Sequence, residues 1–204
     1  MILKKVCVFL ALISCANQVY AAPLPTIPAE LLKLADTSAE AALVVGCRYR
    51  GCFNVYWGHG KEAIPWFNKA ADMGLAAANT MLGRTYQSKF IIKEGLEQDY
   101  RLALKYFIKG YQAGDVMAAK AVGNLYKKGQ GVIQNPVKAY SWYLVARAWG
   151  DKSKSVQNAL VELEDKLEVE EKSIARAEAE KLYNSIERMD DRAIMLMFKR
   201  FPRN

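Results

Sequence analysis

From Gly123 to Gly150 the chain reads GNLYKKGQGVIQNPVKAYSWYLVARAWG. Gly123 and Tyr126 are three apart and share one face of a short predicted helix. That helix ends in a glycine turn, Gly129-Gln130-Gly131, and a second helix follows with Ala139, the aromatic pair Trp142-Tyr143, Ala146 and a closing Gly150. The same marks occur upstream. Gly-x-x-Tyr appears at Gly46/Tyr49, Gly83/Tyr86 and Gly123/Tyr126, at intervals of 37 and 40 residues. Ala-x-x-aromatic-aromatic appears at Ala63/Trp66/Phe67, Ala103/Tyr106/Phe107 and Ala139/Trp142/Tyr143, at intervals of 40 and 36. The stop glycines Gly74, Gly114 and Gly150 keep step. A fixed period in this range is the mark of a helical repeat array. The fold class expected is therefore all-α, an α-solenoid of antiparallel helix pairs in a right-handed superhelix, with about three repeats over 39–74, 75–114 and 115–150.

The pattern also predicts what lies on either side. Ala22 to Pro28 is an extended leader with three prolines, and Ala29 to Ala35 a short entry helix. Thr37-Ser38-Ala39-Glu40 reads as a capping box that starts the first repeat helix, which runs through Tyr49. The second helix of each pair has its own start signal. Asn135 precedes Pro136, an N-cap followed by proline at the first helical position, and Asp99 and His59 hold the same place in the earlier copies. Lys89 to Glu94 is an insertion in the second copy. After Gly150 the repeat pattern stops, and Ala159 stands where the next glycine would fall. Val156–Leu167 and Val169–Met189 read as two amphipathic helices that cap the array over 151–204, because a solenoid must cover its last apolar face. The tail from Ala193 to Phe201 is Met-rich and basic, and two readings of it stand: a segment folded back into the core, or an exposed docking element.

These residues resemble the Sel-one-like repeat, a relative of the tetratricopeptide repeat. The third copy matches its pattern at Val122-Gly123, Tyr126, Gly129, Gly131-Val132, Lys138-Ala139 and Trp142-Tyr143, with Asn135 where the family usually has Asp. The resemblance covers about residues 39 to 150 and implies a scaffold that binds proteins. It also implies that side chains three before, one after and four after the helix-A glycine line a concave groove. Those are Leu43, Cys47 and Arg50, then Thr80, Arg84 and Gln87, then Lys120, Asn124 and Lys127. Four of the nine are basic and none is acidic, so the groove expected from this set favours an acidic or C-terminal-carboxylate segment held by charge-assisted hydrogen bonds. The competing account makes them ordinary solvated charges.

The first 21 residues change the setting. Lys4 and Lys5 precede an apolar run from Val6 to Ala16, too short to span a bilayer, and Val19-Tyr20-Ala21 supplies small residues for cleavage. A secretory signal over residues 1–21 is expected, with export to the periplasm or beyond. Leu12-Ile13-Ser14-Cys15 supports a second reading, a lipoprotein anchored through Cys15. Removing the two lysines takes the formal charge from +8 to +6, a modest excess that gives no case for nucleic acid as a partner. In an oxidising compartment Cys47 and Cys52 are close enough in sequence to form a disulfide, the alternative being two free thiols. No metal or cofactor is expected. Two cysteines and the single His59 fall short of four ligands, and Gly129-Gln130-Gly131 lacks the strand a nucleotide loop needs. Neither a zinc-type motif nor a nucleophile elbow occurs, so the expected class is a non-enzymatic, non-integral exported scaffold. Its alternative is a protein that binds cell-wall peptidoglycan or regulates a wall enzyme.

Overall fold

The computed structural model describes residues 24–52, 59–89, 95–188 and 199–200. The described residues form helices and connections with no strand. In chain order the helices are α1 (Ala29–Leu34), α2 (Ala39–Arg50), α3 (Gly60–Asp72), α4 (Ala76–Gln87), α5 (Tyr100–Gln112), α6 (Ala118–Lys128), α7 (Pro136–Ala148), α8 (Lys154–Lys166) and α9 (Val169–Tyr183). Helices α2/α3, α4/α5 and α6/α7 pack as pairs, and each pair packs on the next through α3 with α4 and α5 with α6. We call α2, α4 and α6 the A helices and α3, α5 and α7 the B helices. The architecture is an α-solenoid.

The glycine and aromatic marks hold each pair together. A Cβ built on Gly46 would lie 2.5 Å from Cε1 and 2.6 Å from Cδ1 of Phe67, and one on Gly83 would lie 2.7 Å from Cδ1 of Phe107. Both rings are fully buried, so the missing side chain is what lets each B helix approach. The third pair is looser. At Gly123 the nearest atoms, in Ala139, Trp142 and Tyr143, stand at 3.4 Å, an ordinary contact. The tyrosines one turn on pack at the edge of the same seam, with Tyr86 stacked on Tyr106 at 5.7 Å between centroids.

The B helices end in one repeated hydrogen-bond motif. Gly74, Gly114 and Gly150 adopt φ of 89°, 100° and 96°. The following N–H groups of Leu75, Asp115 and Asp151 reach back to the carbonyls of Ala70, Gly110 and Ala146 at 2.9–3.0 Å. This is the Schellman arrangement, which satisfies the last carbonyls and aims the chain into the next A helix. At the start of the B helices, Asp99 and Asn135 accept from backbone N–H groups two or three residues on, at 2.8–2.9 Å. His59 occupies the same position in α3 but makes no side-chain cap. The insertion leaves this pinning intact: the N–H groups of Asp99 and Asn135 each bond the carbonyl of the repeat tyrosine, Tyr86 and Tyr126, at 3.0 Å. Residues 90–94 themselves lie outside the described residues.

Two expectations need correction. The N-cap of α2 is Ser38, not Thr37. Its backbone is extended and its Oγ accepts from the Ala41 N–H at 3.2 Å, which puts Glu40 at the second helical position, one short of a capping box. A true capping box sits elsewhere, at the start of α9, between Glu168 and Glu171. Helix α9 stops at Tyr183 rather than Met189, with its last-turn Leu182 carbonyl taken by the Tyr111 hydroxyl at 2.8 Å and the Ser185 hydroxyl at 2.7 Å.

The cap is not a fourth regular pair. Helix α8 takes the place of the next A helix against α7, burying Val156, Ala159, Leu160, Leu163 and Leu167. Helix α9 packs on α7, where Ser141 donates to Glu178 at 3.0 Å and Trp149 meets Tyr183 at 4.4 Å between ring centroids. Ala175 and Ala179, the two α9 residues buried there, let it lie close. Of the tail only Lys199 and Arg200 are described, and Arg200 pairs with Glu30 on α1.

Candidate functional site

The A-helix face carries the residues that the sequence groups together, and the structure gives them unequal roles. Leu43 and Cys47 are buried, each 3% exposed, and Thr80 is 1% exposed. Residues three before the glycine share its side of the helix, so an apolar or small one turns into the pair. Thr80 lies against Gly110 of α5, where an added Cβ would come 2.6 Å from the threonine Oγ1. These three do not line an open surface. Gly110 is the sequence signal for this contact, a glycine inside a B helix outside the repeated marks.

Lys120 has the same register but a long stem, and its Nζ reaches Asp151 Oδ2 at 3.0 Å and Ser153 Oγ at 3.4 Å. Lys127 pairs with Glu162 of α8, whose other oxygen takes Lys166 at 2.8 Å. The two lysine contacts hold the Glu162 carboxyl at about 2, well below its ordinary value. Burial pushes the Asp151 carboxyl up, but hydrogen bonds from Ser153 and Lys120 outweigh it and leave it below the usual range. Asn124 accepts from the Tyr143 hydroxyl at 2.7 Å, and burial pushes that hydroxyl up to about 12. The third copy therefore spends its polar A-helix residues on its own B helix and on the cap.

The first two copies differ. Arg50 extends from the end of α2, donating from Nη1 to the Gly51 carbonyl at 3.1 Å and from Nη2 to the Arg84 carbonyl at 3.0 Å. Arg84, on α4, is half-buried. Burial pulls its guanidinium pKa down, offset in part by the charge of Asp115 at longer range. Gln87, one turn on, is also half-buried, and its carbonyl accepts from the Gln98 side chain at 2.6 Å. The structure thus sets Arg50 against the main chain of Arg84 across the seam between the first two A helices, with Gln87 one turn further along α4.

Beside them the structure joins Cys47 to Cys52, with sulfurs 2.09 Å and Cα atoms 5.1 Å apart. The Cys52 sulfur also lies 3.5 Å from Met81 of α4. His59 is 7% exposed, and its Nε2 is buried with no hydrogen-bond partner among the described residues. Among the described residues no group of three or more His, Cys, Asp or Glu is arranged to hold a metal ion. Three surface depressions, of about 620, 420 and 400 Å³, are lined by other residues than Arg50, Arg84 and Gln87.

The Sel1 repeat family model matches residues 60–75, 76–115 and 116–148. Residues 60–148 of this chain are Sel1 repeats. The solved structures agree on the fold of this chain. One is a protective antigen present in uropathogenic Escherichia coli strains, displaying an SLR fold. It superposes with a TM-score of 0.65 at 22% identity over 85% of this chain, which spans only 35% of that one. A Sel1 repeat protein from Oxalobacter formigenes superposes with a TM-score of 0.51 at 28% identity, over 65% of this chain and 96% of its own. No curated protein matches the sequence. No described helix of this chain is long and apolar enough to cross a membrane, and residues 1–23, with the signal motif and Leu12-Ile13-Ser14-Cys15, lie outside the described residues. Sel1 repeats form protein-binding scaffolds, and the array here has that form.

Proposed function

We propose that this Sel1 protein is an exported scaffold whose A-helix face holds an acidic segment of a protein partner. The observation that carries the reading is Arg84 on α4, a half-buried guanidinium with no carboxylate within 4 Å among the described residues, whose backbone carbonyl takes Arg50 from α2. A bound carboxylate restores what burial removed, through charge-assisted hydrogen bonds stronger than neutral ones. Export is supported by Lys4 and Lys5 ahead of the apolar run to Ala16 and by the cleavable Val19-Tyr20-Ala21, so the mature chain begins at Ala22. Intact mass of envelope material checks that point; a diacylated chain starting at Cys15 contradicts it.

The binding reading is tested by capture from envelope extract, with purified wall sacculi as a parallel bait. Wild-type protein retains a protein partner, and Arg84→Glu loses it at unchanged helicity. Retention on sacculi with the same partners on both proteins instead supports the wall-polymer alternative.

A further inference from the structure

The outer faces of the three B helices differ. On α7, Ser141 and Val145 are fully buried beneath α9, with Ser141 donating to Glu178. On α3 the charges are mixed: Glu62 and Asp72 are exposed, and Lys69 meets Asp36 at 2.6 Å. The repeat marks Ala103 and Ala139 put Lys105 and Lys109 of α5 in register with Ser141 and Val145. On α5 that register is open, and Arg101, Lys105 and Lys109 are all exposed. They stand at four-residue steps on one face, a row about 12 Å long. No residue of α5 is acidic, and among the described residues none of the three cations has an ion-pair partner. The Arg101 end of the row carries an apolar tip. Gly131 of the α6–α7 turn lies so close to α5 that a Cβ there would come 2.4 Å from the Tyr100 carbonyl carbon and 2.6 Å from the Arg101 nitrogen. That contact seats the turn against α5 and places Ile133, 88% exposed, with Arg101 on the rim of one depression of about 620 Å³.

We propose that the outer face of α5 docks on a bilayer bearing anionic phospholipid, with Arg101, Lys105 and Lys109 at the headgroup phosphates and Ile133 entering the acyl boundary. Two features favour a lipid surface over a folded protein. Lysines are point charges on flexible stems, matched to phosphates that move laterally rather than to one fixed carboxylate. Ile133 protrudes, so a protein partner would need a pocket shaped to receive it, whereas a bilayer takes up an apolar tip without one. Electrostatic attraction joined to shallow apolar burial is how peripheral proteins hold a membrane surface without spanning it. The inference does not rest on the acidic-segment reading, because α5 belongs to the B-helix layer and Arg84 to the A-helix layer.

The test is co-sedimentation of the processed chain, as recovered from cells, with vesicles at about 0.15 M salt. One set is phosphatidylcholine alone and the other carries about 30% phosphatidylglycerol. Binding is expected to the anionic vesicles only. Each of Arg101→Gln, Lys105→Gln and Lys109→Gln weakens it about fivefold, and the triple variant about a hundredfold. Ile133→Ser weakens it about tenfold although no charge changes. Lys154→Gln removes an exposed cation on α8 and leaves binding within about twofold, which controls for net charge. All five positions are exposed, and circular dichroism checks that the helices persist. Equal loss in Lys154→Gln, equal binding to neutral vesicles, or no binding to either overturns the inference. Loss in the α5 variants with Ile133→Ser unchanged overturns the choice of a bilayer in favour of a soluble polyanion. A triple variant that binds vesicles normally but loses self-association in sedimentation velocity overturns it too, and gives the face to a second copy of this chain.

Discussion

Replacing Gly83 with alanine tests the packing rule on which the array is built. The substitution gains helix propensity, about 1 kcal/mol in a helix interior. Against that, the new methyl would sit 2.7, 2.8 and 3.0 Å from Cδ1, Cε1 and Cγ of Phe107, a ring with no exposure. Carbon atoms rest at about 3.5–4.0 Å, so the ring or the helix must move by nearly 1 Å in a close-packed interior. Because Cγ is among the crowded atoms, rotating the ring does not relieve the overlap. Overpacking of this kind costs about 1–3 kcal/mol, and it also opens the seam in which Tyr86 stacks on Tyr106. The net expectation for Gly83→Ala is a loss of up to about 2 kcal/mol, or a fall in Tm of up to roughly 8 °C. Gly123→Ala is the internal control. Its nearest neighbours are already at 3.4 Å, so the propensity gain prevails and the change is neutral or stabilising by about 0.5 kcal/mol. Urea unfolding followed by circular dichroism measures both, and Phe107→Leu in the Gly83→Ala background recovers part of the loss as a coupling energy. Equal effects at Gly83 and Gly123 refute the reasoning.

Tyr111→Phe removes the hydroxyl that bonds the Leu182 carbonyl, so it costs about 1 kcal/mol and exposes the C-terminal end of α9 to limited proteolysis before the repeats. An unchanged cleavage pattern counts against that anchor. Oxidised protein carries the Cys47–Cys52 bridge, and opening this five-residue separation lowers stability by about 2 kcal/mol on the chain-entropy model. Non-reducing mass analysis checks the bridge, and unfolding of Cys47→Ser/Cys52→Ser checks its contribution. Glu162 titrates at about 2 when folded, against an ordinary value of 4.5. A depressed folded value stabilises above the unfolded one and is lost on acidification, so the urea midpoint falls from about pH 5 towards 2. Glu162→Gln flattens that fall, and so does high salt, because the carboxylate is solvent-accessible.

The sequence showed most clearly what is local or strictly periodic. A glycine facing a bulky ring must recur with the period of the helix pairs, and stop glycines recur because every B helix needs a residue at positive φ. The pairing of the repeat helices and the side-chain caps of α5 and α7 followed from such marks. The cap of α2 slipped by one because Thr37 and Ser38 are both capping types, and only the extended backbone of Ser38 decides between them. The A-helix face was legible as a set of positions but not as a set of roles. Whether Lys120 is available depends on Asp151 after the last stop glycine, and whether Lys127 is available depends on how α8 docks. Neither contact has a local periodic signal. The same holds for α9 lying on α7, and for Tyr111 reaching a carbonyl 71 residues away.

The central claim is that a protein partner lies on the A-helix face of the first two repeats. A photo-crosslinking residue placed at Gln87, beside Arg84, and in a second protein at exposed Lys105 on the B helix α5, tests it most directly. Irradiation in intact cells followed by mass analysis is expected to give a protein adduct from position 87, absent from position 105, that disappears when Arg84→Glu is added. An adduct formed from position 105 alone, or one from position 87 that survives Arg84→Glu unchanged, contradicts the account.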